Sequence, residues 1–336
     1  MLLVVNAGSS SLKLAGFAPD LTQVAEARFE RIGAGGPPDH RAALLLGLAQ
    51  MPRPTAAAHR VVHGGAALTA PARLTPQVEA QIEACIPLAP LHNPANLQGM
   101  RALRALMPDL PQFASFDTAF HATNPCVATR YALPPEAEAL GLRRYGFHGL
   151  SYAALVRKLQ ETGPEALPKR LLAFHLGNGA SACAILDGRS MATTMGYSPL
   201  SGLTMGTRTG EIDGNAVLRL VAEYGLDETT RLLNRGSGLQ GLAGASDMRN
   251  LRAARSPEAA FALDHFTYWA ARHGASLTAA MGGLDAVAFT GGIGENDAQT
   301  RAAILGHLAF LGEKPVLIIP AEEERQIARE ARALMA

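Results

Sequence analysis

The chain has 336 residues, of which 48% are hydrophobic, and its 30 basic and 29 acidic side chains give a net charge of +1. This near neutrality excludes the basic surface of a nucleic-acid-binding protein and attraction to an anionic membrane, so we expect small molecules or another copy of the chain as partners. The length exceeds what a single hydrophobic core usually supports, which favours two domains.

The cysteines and the apolar segments indicate a cytoplasmic protein. Cys85, Cys126 and Cys183 are far apart, as expected of reduced thiols that fill a core rather than of disulfides. The first residues, MLLVVNAGSSS, contain an apolar run too short for a signal peptide. The long apolar stretch 274–294 is interrupted by Asp285 and by glycines, so it predicts a buried helix and a strand, not a membrane span.

The first predicted element is a hairpin, with strands at 2–6 and 12–14 around a Gly-Ser turn at 8–11. A second copy of this pattern spans 171–185, with a glycine turn at 177–179. Aligning the two turns superimposes both strands, which predicts two related lobes. Such turns expose backbone N–H groups, and two of them facing one cleft would hold a polyphosphate.

The remaining elements alternate between helix and strand. Helices are predicted over 76–106, 151–161, 215–224, 257–281 and 322–334, and strands over 286–290 and 316–320. This alternation indicates an α/β fold.

The first Gly-Ser turn is compatible with an ordinary hairpin, but its neighbours favour a nucleotide site. Lys13 follows the turn and supplies a point charge for phosphates, while Asn6 offers an oxygen ligand for Mg²⁺. The Walker sequence G-x-x-x-x-G-K-[ST] is missing, so the turn is not a P-loop.

The segment 59–65, HRVVHGG, carries two histidines at a spacing known from zinc sites. Its β-branched residues and double glycine predict a strand instead of the helix that such a site needs, which disfavours a metal. Arg60 is more informative, because an arginine in an apolar strand needs an anionic partner, either a structural carboxylate or a bound ligand.

Two further polar turns follow. Residues 291–296 match a dinucleotide fingerprint only in part, because Asp297 replaces its last glycine; a Rossmann site is disfavoured, although a nucleotide can still bind after such a strand. Residues 205–213 contain Arg208 between small residues. The segment is either a surface loop or a turn whose small residues leave the guanidinium of Arg208 available for binding.

A series of segments between residues 3 and 330 resembles the acetate kinase family in order and spacing. They are VVNAGSSSLK at the start, HRVVHGG at 59–65, LAPLHNP at 88–94, FDTAFH at 116–121, RYGFHGLSY at 144–152, HLGNGAS at 175–181, MGYSPLSGLTMGTRTGEID at 195–213, SDMR at 246–249 and FTGGIGEN at 289–296. The resemblance implies the fold of actin, sugar kinases and heat-shock ATPases, two related α/β lobes with a nucleotide cleft between them. It implies an N-terminal lobe of residues 1–117 completed by a helix at 322–336, a nucleotide-binding lobe of residues 118–321, and a homodimer.

The resemblance also implies an activity, the reversible transfer of the ATP γ-phosphoryl group to acetate, giving acetyl phosphate and ADP with Mg²⁺ or Mn²⁺. Propionate or another short-chain acid is an alternative acceptor. A non-catalytic nucleotide-binding sensor is a further alternative. Family residues that serve the acid and the transferred phosphate are present, which argues against a sensor.

Carried over residue by residue, the resemblance assigns roles to named positions. The catalytic group would consist of Asp117, His148 and Arg208. The acid would be bound by Arg60 and by a methyl pocket of Val62, Leu91, Phe147 and Pro199. The nucleotide would be bound by Lys13, His175, Leu176, Gly177, Asn178, Gly179, Asp247, Met248, Arg249, Gly292, Ile293, Gly294, Glu295 and Asn296. The metal would be held by Asn6 and Glu323.

The expected mechanism needs no general base, because an unperturbed carboxyl group titrates near pH 4 and the acceptor is ionised at neutral pH. Direct in-line transfer is favoured, with a phosphoenzyme on Glu323 as the alternative. Compared with the family, the chain lacks roughly sixty residues, more than ordinary loop variation, mainly before His59 and after Asn296. None of the motifs is lost.

Overall fold

Two sheets with the same strand order form the framework of a computed structural model that describes residues 1–163 and 165–336. The strands are β1 (Leu2–Ala7), β2 (Leu12–Phe17), β3 (Gln23–Phe29), β4 (Ala56–Val61), β5 (Ala72–Arg73), β6 (Gln112–Phe116), β7 (Arg170–Leu176), β8 (Ala180–Leu186), β9 (Arg189–Thr193), β10 (Ala286–Thr290) and β11 (Val316–Ile318). One sheet has the order β3-β2-β1-β4-β6-β5, and the other, β9-β8-β7-β10-β11, repeats its first five positions. In each sheet the first three strands pair antiparallel with their neighbours, and the fourth and fifth strands run parallel to the third. The predicted internal repeat is therefore confirmed.

Helices connect and cover these strands. They are α1 (His40–Leu48), α2 (Pro76–Ala84), α3 (Asn93–Leu106), α4 (Cys126–Thr129), α5 (Pro135–Ala139), α6 (Gly149–Thr162), α7 (Gly214–Arg235), α8 (Gly238–Ala243), α9 (Met248–Ala254), α10 (Pro257–Met281), α11 (Gly291–Asn296), α12 (Ala298–His307) and α13 (Glu323–Met335). Within the described residues, no helix combines the length and apolar character needed to cross a bilayer.

The chain forms two compact units. Unit 1 comprises residues 1–122, 149–154 and 322–336, and unit 2 comprises residues 123–148 and 155–321. The division into domains after Asp117, inferred from the family resemblance, stays a prediction.

Both faces of the sheet in unit 1 are buried. Leu3 of β1 belongs to a core formed with α1 and α3, whereas Val4 packs on the opposite face with Ile327 of α13. Alternate residues of the strand thus serve two cores, which explains why β1 is continuously apolar instead of alternating with polar residues.

His59 of β4 is a buried histidine that should make folding sensitive to acid. Its side chain is 1% exposed, and its Nε2 lies 2.8 Å from Oε1 of Gln112. Burial lowers the pKa of His59 from 6.5 to about 4. Between these pH values the unfolded chain binds more protons than the folded one. The contribution of neutral His59 to the free energy of unfolding is therefore fully present above pH 6.5, and it falls by about 3 kcal/mol as the pH drops to 4.

Replacing His59 by glutamine removes this titration. The His59→Gln variant should therefore lose less free energy of unfolding than the wild type between about pH 7 and about pH 4.5, as measured by urea unfolding. The exposed His307 provides a control, since His307→Gln should follow the wild-type curve. A curve for His59→Gln parallel to that of the wild type would show that His59 does not titrate in this range.

In unit 2, α10 lies directly against the sheet. Gly274 makes this approach possible, because a Cβ added there would lie 2.5 Å from Cζ of Phe174 in β7. Phe174 stacks on Phe289 of β10 with ring centroids 5.3 Å apart. The close contact fixes α10 on a rigid aromatic core.

Several local predictions were wrong. The helix expected over 76–106 is divided into α2, a 3-10 turn at Ile86–Leu88 and α3. Pro87 and Pro90 explain the break, because proline lacks the N–H that a continuous helix requires. The glycine turn expected at 291–296 is the short helix α11, and Cys126 is exposed instead of filling the core.

Candidate active site

Arg60 and Asp117 form an ion pair where the parallel strands of the sheet in unit 1 end. They lie at the carboxyl ends of the neighbouring parallel strands β4 and β6. The Nε of Arg60 donates to both carboxylate oxygens of Asp117, at 3.1 and 3.2 Å, and Nη2 donates to Oδ2 at 2.7 Å. Burial lowers the pKa of Arg60, but the carboxylates of Asp117 and Glu323 raise it more, so the guanidinium stays charged. Of the two anionic partners expected for Arg60, a structural carboxylate is therefore observed, and it is Asp117.

The first turn of α13 places two more carboxylates in this part of unit 1. Oε2 of Glu323 lies 3.9 Å from Nη1 of Arg60, and Oε1 of Glu324 lies 3.1 Å from Nζ of Lys13. Lys13 is paired with Asn6 across the β1–β2 ladder, and α13 packs against β1. Arg60 and Lys13 are thus in contact with consecutive residues of one helix.

Asn96 of α3 is a positioning residue that sequence reasoning missed. Its side chain is 3% exposed, its Oδ1 accepts from the N–H of Val62 at 3.1 Å, and its Nδ2 donates to the carbonyl of Ala7 at 2.8 Å. It therefore ties the end of β1 to the segment that follows Arg60. The sequence could have indicated this role, because Asn96 lies on the apolar side of an amphipathic helix and buried polar groups are almost always hydrogen-bonded.

In unit 2, the β7–β8 turn at residues 177–179 is approached by an irregular segment, residues 194–213, which we call the Arg208 loop. The N–H of Gly206 donates to the carbonyl of Asn178 at 3.1 Å. A Cβ on Gly206 would lie 2.3 Å from Oδ1 of Asn178, so a larger residue here would force the side chain of Asn178 to move.

His148 and Arg208 converge on the same turn. A Cβ built on Gly179 would lie 3.2 Å from Nε2 of His148 and 3.7 Å from Nη1 of Arg208. Nη1 of Arg208 also donates to the carbonyl of Pro199 at 2.8 Å, which orients the guanidinium. Because guanidinium and ring nitrogens can both donate, an anionic group beside this turn would be within reach of two side chains.

The orientation of His148 is set by its neighbours. Nδ1 lies 2.9 Å from Oγ of Ser181, and the ring stacks on that of His175 with centroids 4.2 Å apart. His148 also has a left-handed backbone, with φ of 58°, directly before α6. A non-glycine residue in this conformation is strained, and such strain concentrates at functional sites. Ser181 lies in the HLGNGAS motif, but its role as the partner of His148 was missed.

A cavity of about 780 Å³ adjoins the glycine turn in unit 2. Its lining combines backbone-exposing glycines, apolar side chains and charged groups: Gly177, Asn178, Ser246, Asp247, Met248, Arg249, Arg252, Gly292, Ile293, Asn296, Asp297, Ala298 and Gln299. A cavity of this size and character is typical of sites that bind a nucleotide or similar molecule.

Comparison with known proteins decides the family. The sequence model of the Acetokinase family matches residues 49–329. The chain belongs to the acetokinase family. It is accordingly a kinase, an enzyme that transfers phosphoryl groups.

Individual members of the family align over nearly the whole chain. The acetate kinase of Nitrobacter hamburgensis is 40% identical over 387 aligned positions, covering 99% of this chain and 96% of the relative. Since this chain has 336 residues, the alignment exceeds its length by 51 positions, so the relative contains segments that this chain lacks, as predicted. Assembly into a homodimer stays a prediction.

Solved structures agree with this assignment. The acetate kinase of Porphyromonas gingivalis has a TM-score of 0.91 at 33% identity, covering 100% of this chain and 99% of that one. A propionate kinase from Francisella tularensis has a TM-score of 0.92 at 33% identity, with 98% of both chains covered. A ROK family glucokinase from Streptomyces griseus, 12% identical with a TM-score of 0.52 and 99% of both chains covered, shares the fold alone. The predicted α/β fold of the sugar kinase type is confirmed.

Some residues predicted to bind nucleotide do not line the cavity. Leu176 is buried in β7, and Gly294 is buried in α11. The Oε1 of Glu295 accepts from the N–H groups of Gly291 and Ala321 at 3.0 and 2.9 Å, so this carboxylate holds backbone in place. Their roles in nucleotide binding stay predictions.

Arg252 and Asp297 line the cavity, although sequence reasoning did not select them. Nη2 of Arg252 lies 3.0 and 2.9 Å from the two carboxylate oxygens of Asp297 and donates to Oγ1 of Thr300 at 2.8 Å. Burial raises the pKa of Asp297, but bonds from Thr300 and Arg252 lower it more, so the carboxylate stays ionised. This network joins α9 to α12 and makes one wall of the cavity rigid.

Proposed function

We propose that this protein transfers the γ-phosphoryl group of ATP to the carboxylate of acetate, reversibly forming acetyl phosphate and ADP. The observation that carries the proposal is the convergence of His148 and Arg208 on the glycine turn, beside a cavity large enough for a nucleotide. Two donors at this position would neutralise the oxygens of a phosphoryl group in transfer. Membership of the acetokinase family and relatives named acetate kinase support acetate as the acceptor.

Arg60 is proposed to bind the carboxylate of the acid. Asp117 holds Arg60 through Nε and Nη2, so the guanidinium has a fixed direction. A preoriented arginine suits recognition of a carboxylate, because its planar fork matches the two oxygens. Val62, Leu91, Phe147 and Pro199 are proposed to contact the methyl group of the acid.

The chemical step is one displacement at phosphorus. A carboxylate oxygen of the acid forms a bond to the γ-phosphorus, the bond to the β–γ bridging oxygen breaks, and its electron pair stays on ADP. No proton has to be removed from the acid, since it is ionised at neutral pH. His148 and Arg208 stabilise charge on the equatorial oxygens. The alternative, a phosphoenzyme on Glu323, predicts exchange of label between ADP and ATP without any acid.

A Mg²⁺ ion fits this chemistry. Among residues 1–163 and 165–336, no group of three or more histidines, cysteines and carboxylates could hold a metal. Mg²⁺ does not require one, because it usually binds through one or two protein oxygens together with waters and substrate phosphates. Glu323 and Asn6 are the proposed ligands. When bound, the ion would neutralise charge on the phosphates.

The proposal is tested by trapping acyl phosphate with hydroxylamine across a series of acids from acetate to butyrate. Hydroxamate should form with acetate and Mg-ATP. The methyl pocket should favour acetate and propionate over butyrate, because a methylene group that clashes with the pocket loses more binding free energy than a methylene group that fits contributes. A higher kcat/KM for propionate than for acetate would favour the propionate kinase alternative. Folded protein that binds ATP without forming hydroxamate from any of these acids would instead be a nucleotide-binding sensor.

A further inference from the structure

The first Gly-Ser turn, residues 8–11 between β1 and β2, is tied to the segment that connects β3 to α1. The Nε2 of His40 lies 2.7 Å from the carbonyl oxygen of Gly8, and the N–H of Ile32 donates to the carbonyl of Ser10 at 2.9 Å. Because a carbonyl oxygen can only accept, Nε2 of His40 is the donor. Two carbonyls of the turn are thus held by donors from one connecting segment.

These bonds set the direction of the N–H groups in the turn. The carbonyl of one residue and the N–H of the next residue belong to one planar trans peptide and point in opposite directions. The bond from His40 to Gly8 therefore directs the N–H of Ser9 away from His40, and the bond from Ile32 likewise directs the N–H of Ser11 away from Ile32. Ser9 is exposed, so a ligand can reach the turn. Successive N–H groups directed out of a turn are suited to bind an anion.

The bond that closes the turn does not determine this direction. The N–H of Gly8 donates to the carbonyl of Ser11 at 2.9 Å. This bond involves the peptide that precedes Gly8 and the peptide that follows Ser11, but none of the three peptides between them. Such inner peptides can rotate inside a closed turn, as the difference between type I and type II turns shows. The bond from His40 is therefore the contact that fixes the peptide between Gly8 and Ser9.

His40 is itself firmly held. Its side chain is 7% exposed, and it is the first residue of α1. Asp39 caps this helix, because its Oδ1 accepts from the N–H of Ala42 at 2.7 Å. Leu44 of α1 and Leu14 of β2 are fully buried in the same core. The donor thus stands on a helix packed against the hairpin whose turn it contacts.

We propose that His40 is a positioning residue for a phosphate of the nucleotide. It holds the peptide between Gly8 and Ser9 so that the N–H of Ser9 donates to a phosphate oxygen. Without the bond from His40, this peptide could rotate and present its carbonyl oxygen to the phosphate, which would repel it. The inference rests on the proposed function, because it assumes that the Gly-Ser turn binds phosphate of ATP together with Lys13. None of the family motifs contains His40.

The test compares the binding of Mg-ATP with that of adenosine, which has no phosphate. His40→Leu removes the donor, whereas His40→Gln can place an amide N–H near the position of Nε2. By calorimetry, His40→Leu should bind Mg-ATP at least about tenfold more weakly than the wild type, since a hydrogen bond to a charged phosphate is lost. Its affinity for adenosine should be unchanged, and His40→Gln should recover most of the loss for Mg-ATP.

Asp39→Ala is the matched control for a merely structural effect. It removes the cap of α1 and should lower the melting temperature, but it should leave the ratio of the Mg-ATP and adenosine affinities unchanged. If His40→Leu fails to fold, His40→Asn keeps a polar side chain that is too short to reach Gly8 and should show the same selective loss.

An unchanged affinity of the His40→Leu variant for Mg-ATP, or equal losses for Mg-ATP and adenosine, would overturn the inference. A His40→Gln variant as weak as His40→Leu would also contradict it. Wild-type protein that binds Mg-ATP without forming acyl phosphate would refute the proposed function instead, and the binding measurements would still decide the role of His40.

Discussion

Arg208→Ala is expected to lower kcat for acyl phosphate synthesis by about 100- to 1000-fold with little change in the KM for ATP, as found when one preorganised donor to a transition state is removed. Nη1 of Arg208 lies near the glycine turn and is aligned by the carbonyl of Pro199. It does not line the cavity assigned to the nucleotide. Its contact with the phosphoryl group would strengthen as charge redistributes during transfer, so the ground state should lose little.

Arg249 provides the matched control. It is also in unit 2, but it lines the cavity and its side chain is 90% exposed. Arg249→Ala should therefore raise the KM for ATP more than it lowers kcat. Steady-state kinetics and ATP binding by calorimetry separate the two patterns. Equal losses in ATP affinity and turnover for Arg208→Ala would place Arg208 in the nucleotide site.

Asp117→Asn is expected to lower kcat by about 100-fold in both reaction directions, because an arginine displaced by about 1 Å no longer meets the acid correctly. Asparagine keeps the size of Asp117 but removes the charge that faces Nε and Nη2 of Arg60. Breaking a buried ion pair also destabilises a protein by about 3 to 5 kcal/mol, so the melting temperature should fall as well. ATP affinity should change little.

Glu79→Gln distinguishes loss of stability from loss of orientation. Glu79 is likewise paired with arginines in unit 1, with its Oε1 2.7 Å from Nε of Arg101, but it does not contact Arg60. It should lower stability without changing kcat. Because no general base is needed, the ratio of wild-type to Asp117→Asn kcat should be constant over about pH 6 to 9. Loss of an ionisation from the pH profile, with Arg60 unmoved in the crystal structure of the variant, would instead assign proton transfer to Asp117.

Features with local determinants were predictable from the sequence. The two hairpins follow from apolar strands around glycine turns, and α10 begins at Pro257 and ends at Met281 as predicted. Ser256 caps its first turn by accepting from the N–H of Ala259, and Gly282 ends it in a left-handed conformation. Such signals act over a few residues and need no knowledge of the fold.

Features with distant determinants were not predictable in the same way. The sequence indicates that Arg60 needs an anionic partner, but only the pairing of β4 with β6 brings Asp117 beside it. The carboxylate of Glu295 binds the N–H of Ala321, 26 residues away, and its position in a glycine-rich motif did not indicate this.

The identity of the final phosphoryl acceptor is tested most directly by following an oxygen of the acid. With acetate labelled by ¹⁸O in both oxygens and Mg-ATP, the oxygen that bridges carbon and phosphorus in acetyl phosphate should come from acetate. Hydroxylamine then attacks the acyl carbon, and the phosphate released should carry a single ¹⁸O atom, detected by mass spectrometry. Phosphate without ¹⁸O, formed as fast as ATP is consumed, would mean that water is the acceptor and would contradict transfer to the carboxylate.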